Sequence, residues 1–316
     1  MKKFDIIALG ELNVDLLLNR ICGFPEVGKE IFAKEMVLTL GSSTAIFAAN
    51  AASLGARVSF LGMVGHDDFG AFVKTSLEGR GVDTSNLIEV STAATGLTAI
   101  LNYDEDRANV TYPGAMSIMG VKDIRPEAIA AARHVHISSI FMQETLHRDI
   151  LEIVRLVKAQ GVTLSMDMQF DPEEKWDFDY RKILPSVDIF MPNEQELKAL
   201  TGKDSLEEAI KEVRPYINIL VVKMGSKGSL VITKDSEKKL SAMLNQNVVD
   251  AIGAGDSFNA GFITAFVQGK DLEYCQYLGN LAGAINTTAA GGTGAFKSKK
   301  AIEDAARKFF KQDITL

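Results

Sequence analysis

The sequence predicts an α/β protein in which helices cover both faces of a mainly parallel sheet. Short apolar runs alternate along the chain with amphipathic helical stretches, the pattern typical of such folds. At 316 residues and 47% hydrophobic content, the chain can also bury a large core. The predicted strands cover residues 6–9, 58–64, 135–140, 163–166, 189–191 and 219–222. The predicted helices between them cover residues 43–54, 69–80, 147–160, 194–200 and 205–213.

Two further segments, residues 14–40 and 95–115, interrupt this alternation. They contain β-prone stretches without an intervening helix, and residues 104–107 predict a hairpin turn. We therefore expect one domain over residues 1–316 that carries a small inserted β-sheet, which would lie beside the functional site as a lid.

Composition favours a small molecule as the ligand. The net charge is −7, and the short basic run at residues 297–300 does not suit nucleic acid. Apolar runs are too short for a membrane span, and residues 6–9 are too short for a signal peptide. Cys22 and Cys275 lack metal-ligand spacing, so we expect free thiols and a cytoplasmic location, with no membrane partner.

The most informative segment is the glycine-rich turn at residues 250–262. Residues 247–249 are β-prone, and the phenylalanines that follow recur at helical spacing, which predicts a strand, a turn and a helix beginning near Gly255. Gly253 and Gly255 permit a crowded turn whose amides, with that of Ala254, converge on an anion at the helix N-terminus. Asp256 could then accept the proton of an attacking hydroxyl. The alternative is an ordinary N-cap aspartate.

This turn, together with motifs in matching order elsewhere, resembles the ribokinase (PfkB) family of carbohydrate kinases from about residue 5 to about residue 296. The other motifs are Gly10-Glu11-Leu12-Asn13-Val14-Asp15, residues 24–30, residues 41–55, residues 64–70, Asn193-Glu194-Gln195-Glu196 and residues 223–228. The resemblance implies a three-layer α/β/α core with a β-sheet lid. It also implies that ATP binds to the core and that a sugar binds between core and lid.

For the sugar, the resemblance implies contacts from Asn13, Asp15, Gly41 and Ser42. Asn13 and Asp15 face the same way in an extended segment, although Asp15 could instead be a turn carboxylate. Ser42 stands where the family has a second glycine. In addition, Ile46 stands where the family has an asparagine, which makes that corner less polar. Asn50, one turn later, could compensate or be structural.

Relatives carry an Asp-Pro-Asn-x-Arg pattern at the strand end near residue 167. Asp167 matches this pattern, but Gln169 and Asp171 replace the amide and the arginine. An aspartate at the arginine position would repel an acidic sugar, so we expect a neutral one. Trp176 is expected to pack in the core.

For the nucleotide, the resemblance implies that Asn193 and Glu196 organise the water shell of Mg²⁺ and the ATP phosphates. The same spacing also fits a helix capping box, and both roles are compatible. The further nucleotide contacts implied by the resemblance are Lys223, Gly225, Gly228 and Asn280.

The resemblance further implies a site for a monovalent cation such as K⁺ at Asp250 and the carbonyl of Ile252, near the loop at residues 290–294. His134 and His136 share one face of a predicted strand. Because no third ligand follows at suitable spacing, we favour core or edge histidines over a metal site there.

The sequence therefore predicts an ATP-dependent kinase of a small, neutral sugar, in which Asp256 is the base. The amides of Ala254, Gly255 and Asp256, in the turn that contains Gly253, would stabilise the transferred phosphoryl group. The alternatives are a nucleoside kinase of the same family, with Phe141 and Met142 flanking a base, and a sugar sensor without catalysis. Because the inserted sheet has free edges, we also expect a homodimer through the lid.

Overall fold

A computed structural model describes residues 2–103 and 106–316. Its strands, in chain order, are β1 (Phe4–Leu9), β2 (Asn13–Asn19), β3 (Glu35–Leu40), β4 (Val58–Leu61), β5 (Met63–Gly65), β6 (Ile88–Val90), β7 (Gly96–Tyr103), β8 (Asp106–Tyr112), β9 (Ala132–Ser138), β10 (Thr163–Asp167), β11 (Ile189–Phe190), β12 (Ile219–Lys223), β13 (Ser229–Ile232) and β14 (Glu237–Leu240). Its α-helices are α1 (Ser43–Ser53), α2 (Asp68–Glu78), α3 (Pro126–Ala130), α4 (Glu144–Ala159), α5 (Tyr180–Ile183), α6 (Glu194–Thr201), α7 (Leu206–Val213), α8 (Ala254–Val267), α9 (Leu272–Asn286) and α10 (Lys299–Phe310).

The central sheet is mainly parallel, as predicted. In the described residues its order is β14-β13-β12-β11-β10-β9-β1-β4. The six neighbouring strands β4, β1, β9, β10, β11 and β12 are parallel to one another. Strands β13 and β14 extend the sheet beyond β12, and each is antiparallel to its neighbour. Because β1 and β9 to β12 are parallel neighbours, their carboxyl ends meet at one edge of the sheet, where ligands of such folds bind.

Helices cover both faces of this sheet and form two hydrophobic clusters. On β1, Ile7 and Leu9 pack into the cluster that contains α4, whereas Ile6 and Ala8 pack into the cluster that contains α1 and α8. Strands buried on both faces read as continuous apolar runs, which explains why they were predictable. Among the described residues, no helix is both long and apolar enough to cross a bilayer.

A separate four-stranded sheet lies within the two segments that interrupt the alternation, apart from its first residue, Asn13. Its order is β3-β2-β7-β8, with β2 and β7 parallel and the other pairs antiparallel. The predicted hairpin joins β7 to β8, although residues 104 and 105 of its turn lie outside the described residues.

Several strand predictions were wrong in extent. The run 58–64 is two strands in different sheets, because the chain turns at Gly62, where a Cβ would collide with the carbonyl of Gly10. The run 135–140 ends at Ser138, since Ser139 is left-handed with φ 55°. The run 189–191 ends at Phe190.

The strand expected at residues 247–249 is absent from the structure as described. Val248 and Val249 are 59% and 61% exposed in a loop, and neither belongs to a strand. Strand preference depends on packing against neighbouring strands, and this segment has none beside it. The glycine-rich turn is therefore entered from a loop.

Candidate functional site

The N-terminus of α8 forms the centre of the site. Gly253 caps the helix with φ 75°, a left-handed conformation that favours glycine, and α8 begins at Ala254 as the sequence predicts to within one residue. The Ala254 N–H donates to the carbonyl of Ala251 at 3.2 Å. Among the described residues, no backbone carbonyl accepts from the N–H groups of Gly255 or Asp256. These two amides are therefore available to an anion.

A cavity of about 330 Å³ opens on one side of this helix end, between α8 and the four-stranded sheet. Of the predicted sugar residues, Asn13, Asp15, Ser42 and Asp256 line it, together with Gly253 of the glycine-rich turn. The four-stranded sheet adds side chains that alternate along β7 and β8 and so share a face. These are Thr98, Ile100, Arg107, Asn109 and Thr111.

Asn13 and Asp15 do face the same way. The Asn13 amide donates to Asp15 Oδ1 at 3.1 Å and to Thr98 Oγ1 at 2.9 Å. Gly41 does not line the cavity, but a Cβ there would collide with the Asp15 carboxylate, so glycine lets β3 approach. Burial raises the pKa of Asp15 to about 6, against the opposing effects of the Asn13 hydrogen bond and the Arg107 charge.

Ser42 fills the position of the expected second glycine in a left-handed conformation, with φ 72°. Its hydroxyl donates to the carbonyl of Glu11 at 2.7 Å and accepts from the N–H of Ala45 at 3.0 Å. These bonds cap α1 and hold the β1 end against it, which offsets the unfavourable backbone angle.

Asp256 is buried in the first turn of α8 and faces the cavity. Burial, followed by the negative charge of Asp167, raises its pKa well above the ordinary value, and the charge of Lys223 opposes this. A carboxylate with a raised pKa is suited to accepting a proton.

Asp167, at the end of β10, lies between Lys223 and Gln169, and Gln169 in turn contacts Asp256 at the N-terminus of α8. Its Oδ2 atom forms an ion pair with Lys223 and accepts from Asn259 at 2.5 Å and from Gln169 at 3.1 Å. Gln169 also donates to Asp256 Oδ1 at 2.8 Å. Burial lowers the pKa of Lys223, but the charges of Asp167 and Glu196 outweigh it, and the net pKa is raised.

A second cavity, of about 380 Å³, lies on the other side of the α8 N-terminus. Of the predicted nucleotide residues, Lys223, Gly225, Gly228 and Asn280 line it, together with Gly255. Lys223 thus contacts Asp167 and also borders this cavity, close to the amides that are available to an anion.

Asn193 and Glu196 lie beside Lys223 but do not line the second cavity. They form the capping box of α6: the Asn193 N–H donates to Glu196 Oε2 at 2.8 Å, and the Glu196 N–H donates to Asn193 Oδ1 at 2.9 Å. Burial, then the charge of Asp167, raises the pKa of Glu196 to about 7.

The carboxyl groups of Asp167, Glu196 and Asp256 all act on Lys223, whose pKa they raise. Within residues 2–103 and 106–316, no three His, Cys, Asp or Glu side chains are placed to hold a metal directly. Mg²⁺ commonly keeps several waters and needs few protein ligands, so the region fits a hydrated ion held through Glu196.

Asp250 and Ile252 lie in the turn that leads to α8. Asp250 accepts from the N–H groups of Ile252 and Gly291, both at 2.9 Å. The Ile252 carbonyl accepts from Asn286 at 2.6 Å. These oxygens already have protein donors, and a monovalent cation would share them.

Asn50 is structural rather than a sugar contact. It is fully buried and donates to Ser257 Oγ and to the carbonyl of Gly292, both at 2.9 Å. Ile46 packs against Gly253 and Gly292, where a Cβ on either glycine would come within 3.2 Å of its side chain or closer. Ile46 also borders the 330 Å³ cavity, whereas Asn50 supports the turn from outside it.

The interpretation of Asp171 was wrong. Its carboxylate accepts from the N–H groups of Glu173 and Trp176, at 2.9 and 2.6 Å, and it does not line the 330 Å³ cavity. It therefore stabilises a turn instead of facing a substrate. Trp176 is half-buried and packs at the edge of the core, as expected.

Of the two residues that could flank a base, only Met142 borders the 330 Å³ cavity. The ring of Phe141 contacts the ring of Trp176 instead.

His134 and His136 are buried and hydrogen-bonded to Ser165, each at 2.7 Å. Desolvation lowers the pKa of His134 to about 3, so it is neutral. Their bonds are those of core histidines.

Sequence reasoning missed some residues that border the cavities. Glu11 is buried at the 330 Å³ cavity and hydrogen-bonded to Thr44. The polar alternation of Arg107, Asn109 and Thr111 in β8 was the available signal for the lid contacts. Asn259, which borders neither cavity but donates to Asp167, had no signal, because a polar residue within an apolar helix is ambiguous.

Comparison with known proteins agrees with this geometry. The model of the family described as "pfkB family carbohydrate kinase" matches residues 3–299. An uncharacterized sugar kinase from Archaeoglobus fulgidus is 31% identical, over 73% of this chain and 91% of the relative. An ATP-dependent ribose-1-phosphate kinase from Halopiger xanaduensis is 30% identical, over 92% of this chain and 94% of the relative.

Among solved structures, the ribokinase of Arabidopsis thaliana complexed with ribose and ATP superimposes with a TM-score of 0.80. It is 26% identical, and the match covers 96% of this chain and 98% of that chain. The ribokinase-like fold and the mainly parallel core are thereby confirmed.

Proposed function

This chain belongs to the pfkB family of carbohydrate kinases, and from that premise we propose that it transfers the γ-phosphoryl group of ATP to a hydroxyl of a small neutral sugar. The observation that carries the proposal is the position of the α8 N-terminus. Its free amides, at Gly255 and Asp256, lie between a polar cavity and a second cavity lined by Lys223, Gly225 and Gly228.

We assign the 330 Å³ cavity to the acceptor and the 380 Å³ cavity to ATP. Asn13 and Asp15 hold sugar hydroxyls, and Asp256 takes the proton of the attacking hydroxyl. The freed oxygen forms a bond to the γ-phosphorus while the bond from phosphorus to the ADP oxygen breaks. The amides of Gly255 and Asp256 stabilise the charge of the transferred group.

We further propose that the four-stranded sheet acts as a lid. Its polar face forms one wall of the acceptor cavity, so its closure would exclude water from the reaction. Water exclusion matters because hydrolysis of ATP competes with transfer to a sugar.

Asn193 and Glu196 would hold Mg²⁺ through water, and the ion would supply positive charge that neutralises the phosphates. Asp250 and the carbonyl of Ile252 would contact K⁺ if the protein uses it. Lys223 lies beside Gly255, within reach of a phosphate at the helix terminus.

The charge of the acceptor cavity supports a neutral acceptor. Among its described lining residues, Glu11, Asp15 and Asp256 contribute carboxyl groups, and Arg107 contributes a guanidinium group. The negative charge of an anionic sugar would further disfavour the ionised form of these buried carboxyl groups, including the form of Asp256 that accepts a proton. The charge of Arg107 already acts on Asp15.

An ADP-release assay tests the proposal, with a panel of pentoses, hexoses, hexose phosphates and nucleosides in the presence and absence of K⁺. We expect release with a neutral sugar. Preferential release with nucleosides would favour a nucleoside kinase, and sugar binding without ADP release would indicate a sensor.

The role of Asp256 has its own test. We expect Asp256→Asn to lower kcat by roughly 10²–10⁴, because the amide cannot accept the proton. Sugar affinity, measured by calorimetry, should change little. An unaltered rate would exclude Asp256 as the base.

We also propose a homodimer formed through the lid. The face of the four-stranded sheet away from the cavity is apolar, and paired residues such as Leu16, Leu38 and Ala99 share it. Met36, Val110 and Tyr112 are 68%, 66% and 54% exposed on this face. A second copy would cover a surface that is otherwise costly to expose.

A further inference from the structure

We propose that Gln169 is a positioning residue that holds the carboxylate of Asp256 in place for proton transfer and connects it to Asp167. This inference rests on the proposed function, in which Asp256 is the base. Gln169 lies in the segment that follows β10 and lines the acceptor cavity.

The contacts of the Gln169 side chain support this role. Its Nε2 atom lies 2.8 Å from Asp256 Oδ1 and 3.1 Å from Asp167 Oδ2. An amide nitrogen carries two hydrogens, so it can donate one to each carboxylate. With carboxylate oxygens on both sides, this orientation of the amide is the favourable one.

The backbone of Gln169 gives a second, independent observation. Its φ is 62°, in the left-handed region that side chains other than glycine rarely adopt. A glycine would fit this conformation with less strain, yet the chain carries a long amide there. Strain of this kind concentrates at functional sites, and here it brings Nε2 to the catalytic carboxylate.

Gln169 also joins the two halves of the site. Asp167 pairs with Lys223, which borders the nucleotide cavity, and Gln169 continues the chain of contacts to Asp256 in the acceptor cavity. The orientation of the base is therefore tied to the ion pair beside the nucleotide. Donation of an N–H also favours the charged form of Asp256, the form that accepts a proton.

The test is Gln169→Gly, which removes the amide but suits the backbone. We expect kcat for the best acceptor of the panel to fall roughly 10- to 100-fold, with sugar KM changed by less than roughly threefold, because misplacing a catalytic group lowers turnover. The acid limb of the kcat–pH profile should move to higher pH. Relief of the backbone strain offsets part of the lost hydrogen bonding, so the variant should still fold and melt cooperatively.

Gln169→Glu is the second variant, with nearly the same shape. Its carboxylate would repel Asp256 and Asp167, so the acid limb should move further upward than in Gln169→Gly. Lys311→Gly is the matched control, because Lys311 is also left-handed, with φ 58°, and lies exposed at the end of α10. It should relieve strain without altering kcat or its pH dependence.

Three outcomes would overturn the assignment. A higher KM with unchanged kcat in Gln169→Gly would make Gln169 a sugar ligand. A fall in kcat without movement of the acid limb in either variant would reduce it to a structural residue. If the unmodified protein released no ADP with any acceptor, the proposed function itself would fail, and the role of Gln169 with it.

Discussion

At the scale of single residues, the site is distinguished by carboxyl groups that burial keeps from ionising easily. Burial raises the pKa of Glu11 to about 7 and that of Asp15 to about 6, and it raises the pKa of Asp256 well above the ordinary value. Ionising several buried carboxyl groups in one region lowers the free energy of unfolding. Groups with pKa values shifted in this way cluster at functional sites, where a base is needed. Glu11 makes this cost measurable because it borders the acceptor cavity but takes no part in the proposed proton transfer or phosphoryl transfer.

Glu11→Gln should stabilise the protein at high pH and not at low pH. The folded state holds the Glu11 proton up to about pH 7, whereas the unfolded chain releases it near 4.5. Between pH 4.5 and about 7, the native state therefore binds more protons than the unfolded chain. The stability that comes from the protonated Glu11 is present below pH 4.5 and is lost as pH rises through 7. Glutamine carries no such dependence. Its Oε1 can still accept from the Thr44 N–H, and its amide nitrogen can donate to the Thr44 hydroxyl oxygen in place of the bond that the carboxylate accepts.

Urea unfolding at pH 4.5 and pH 8 measures this effect. Relative to the unmodified protein, we expect Glu11→Gln to gain up to about 3 kcal/mol at pH 8 compared with pH 4.5. An equal stability difference at the two values of pH would show that the proton on Glu11 does not contribute.

The sequence indicated the candidate site residues that stand in short motifs at the ends of strands and helices. It did not indicate residues whose position depends on contacts with distant parts of the chain. Asp15, Gly253 and Asp256 stand in short motifs at the ends of elements, where the chain alone indicates a turn or a helix terminus. Asp171 has an equally suggestive position, but its carboxylate turns to the amides of Glu173 and Trp176. Side-chain direction in an irregular segment is set by the fold.

At the scale of elements, the start of α8 depends on a buried polar network behind the turn. Ser257 accepts from Asn50 of α1 and donates to Asn286 of α9, both at 2.9 Å. Asn50 also donates to the carbonyl of Gly292, and Asn286 donates to that of Ile252. Three helices thereby fix the backbone that presents the amides of Gly255 and Asp256.

Ser257→Ala should destabilise the protein by about 1–3 kcal/mol, because it leaves the buried Asn286 Oδ1 without its donor. Chemical unfolding would measure the loss. The matched control is Ser53→Ala, which removes a hydroxyl that donates to the Ala49 carbonyl of its own helix at 3.0 Å and should cost far less. Equal losses in the two variants would contradict a special role for the network.

Elements with a strong periodic pattern were predictable, and those defined by their neighbours were not. Helix α1 and strands β1, β10 and β12 have clear apolar patterns, and the structure places them within a few residues of the prediction. Residues 247–249 have strand propensity but no strand to pair with, so they form a loop.

At the scale of the whole molecule, the four-stranded sheet has two chemically different faces. One face carries Asn13, Asp15 and Thr98 toward the cavity, and the other carries Leu16, Leu18 and Leu101. The alternation along each strand assigns every residue to one face. The sequence predicted the free edges of this sheet as the basis of a dimer, and the structure adds an apolar face on which Met36, Val110 and Tyr112 are exposed.

Charges placed on that face should separate the dimer. We expect Met36→Glu and Val110→Glu, singly or together, to yield a monomer by light scattering at micromolar concentration, because a carboxylate buried between two copies would lack a partner. Both side chains are exposed within one chain, so the fold itself should tolerate the change. The control is Phe309→Glu on α10, which is 40% exposed outside the lid and should leave the mass unchanged. A monomeric mass for the unmodified protein would exclude the dimer, and a dimeric mass for the doubly charged variant would place the interface elsewhere.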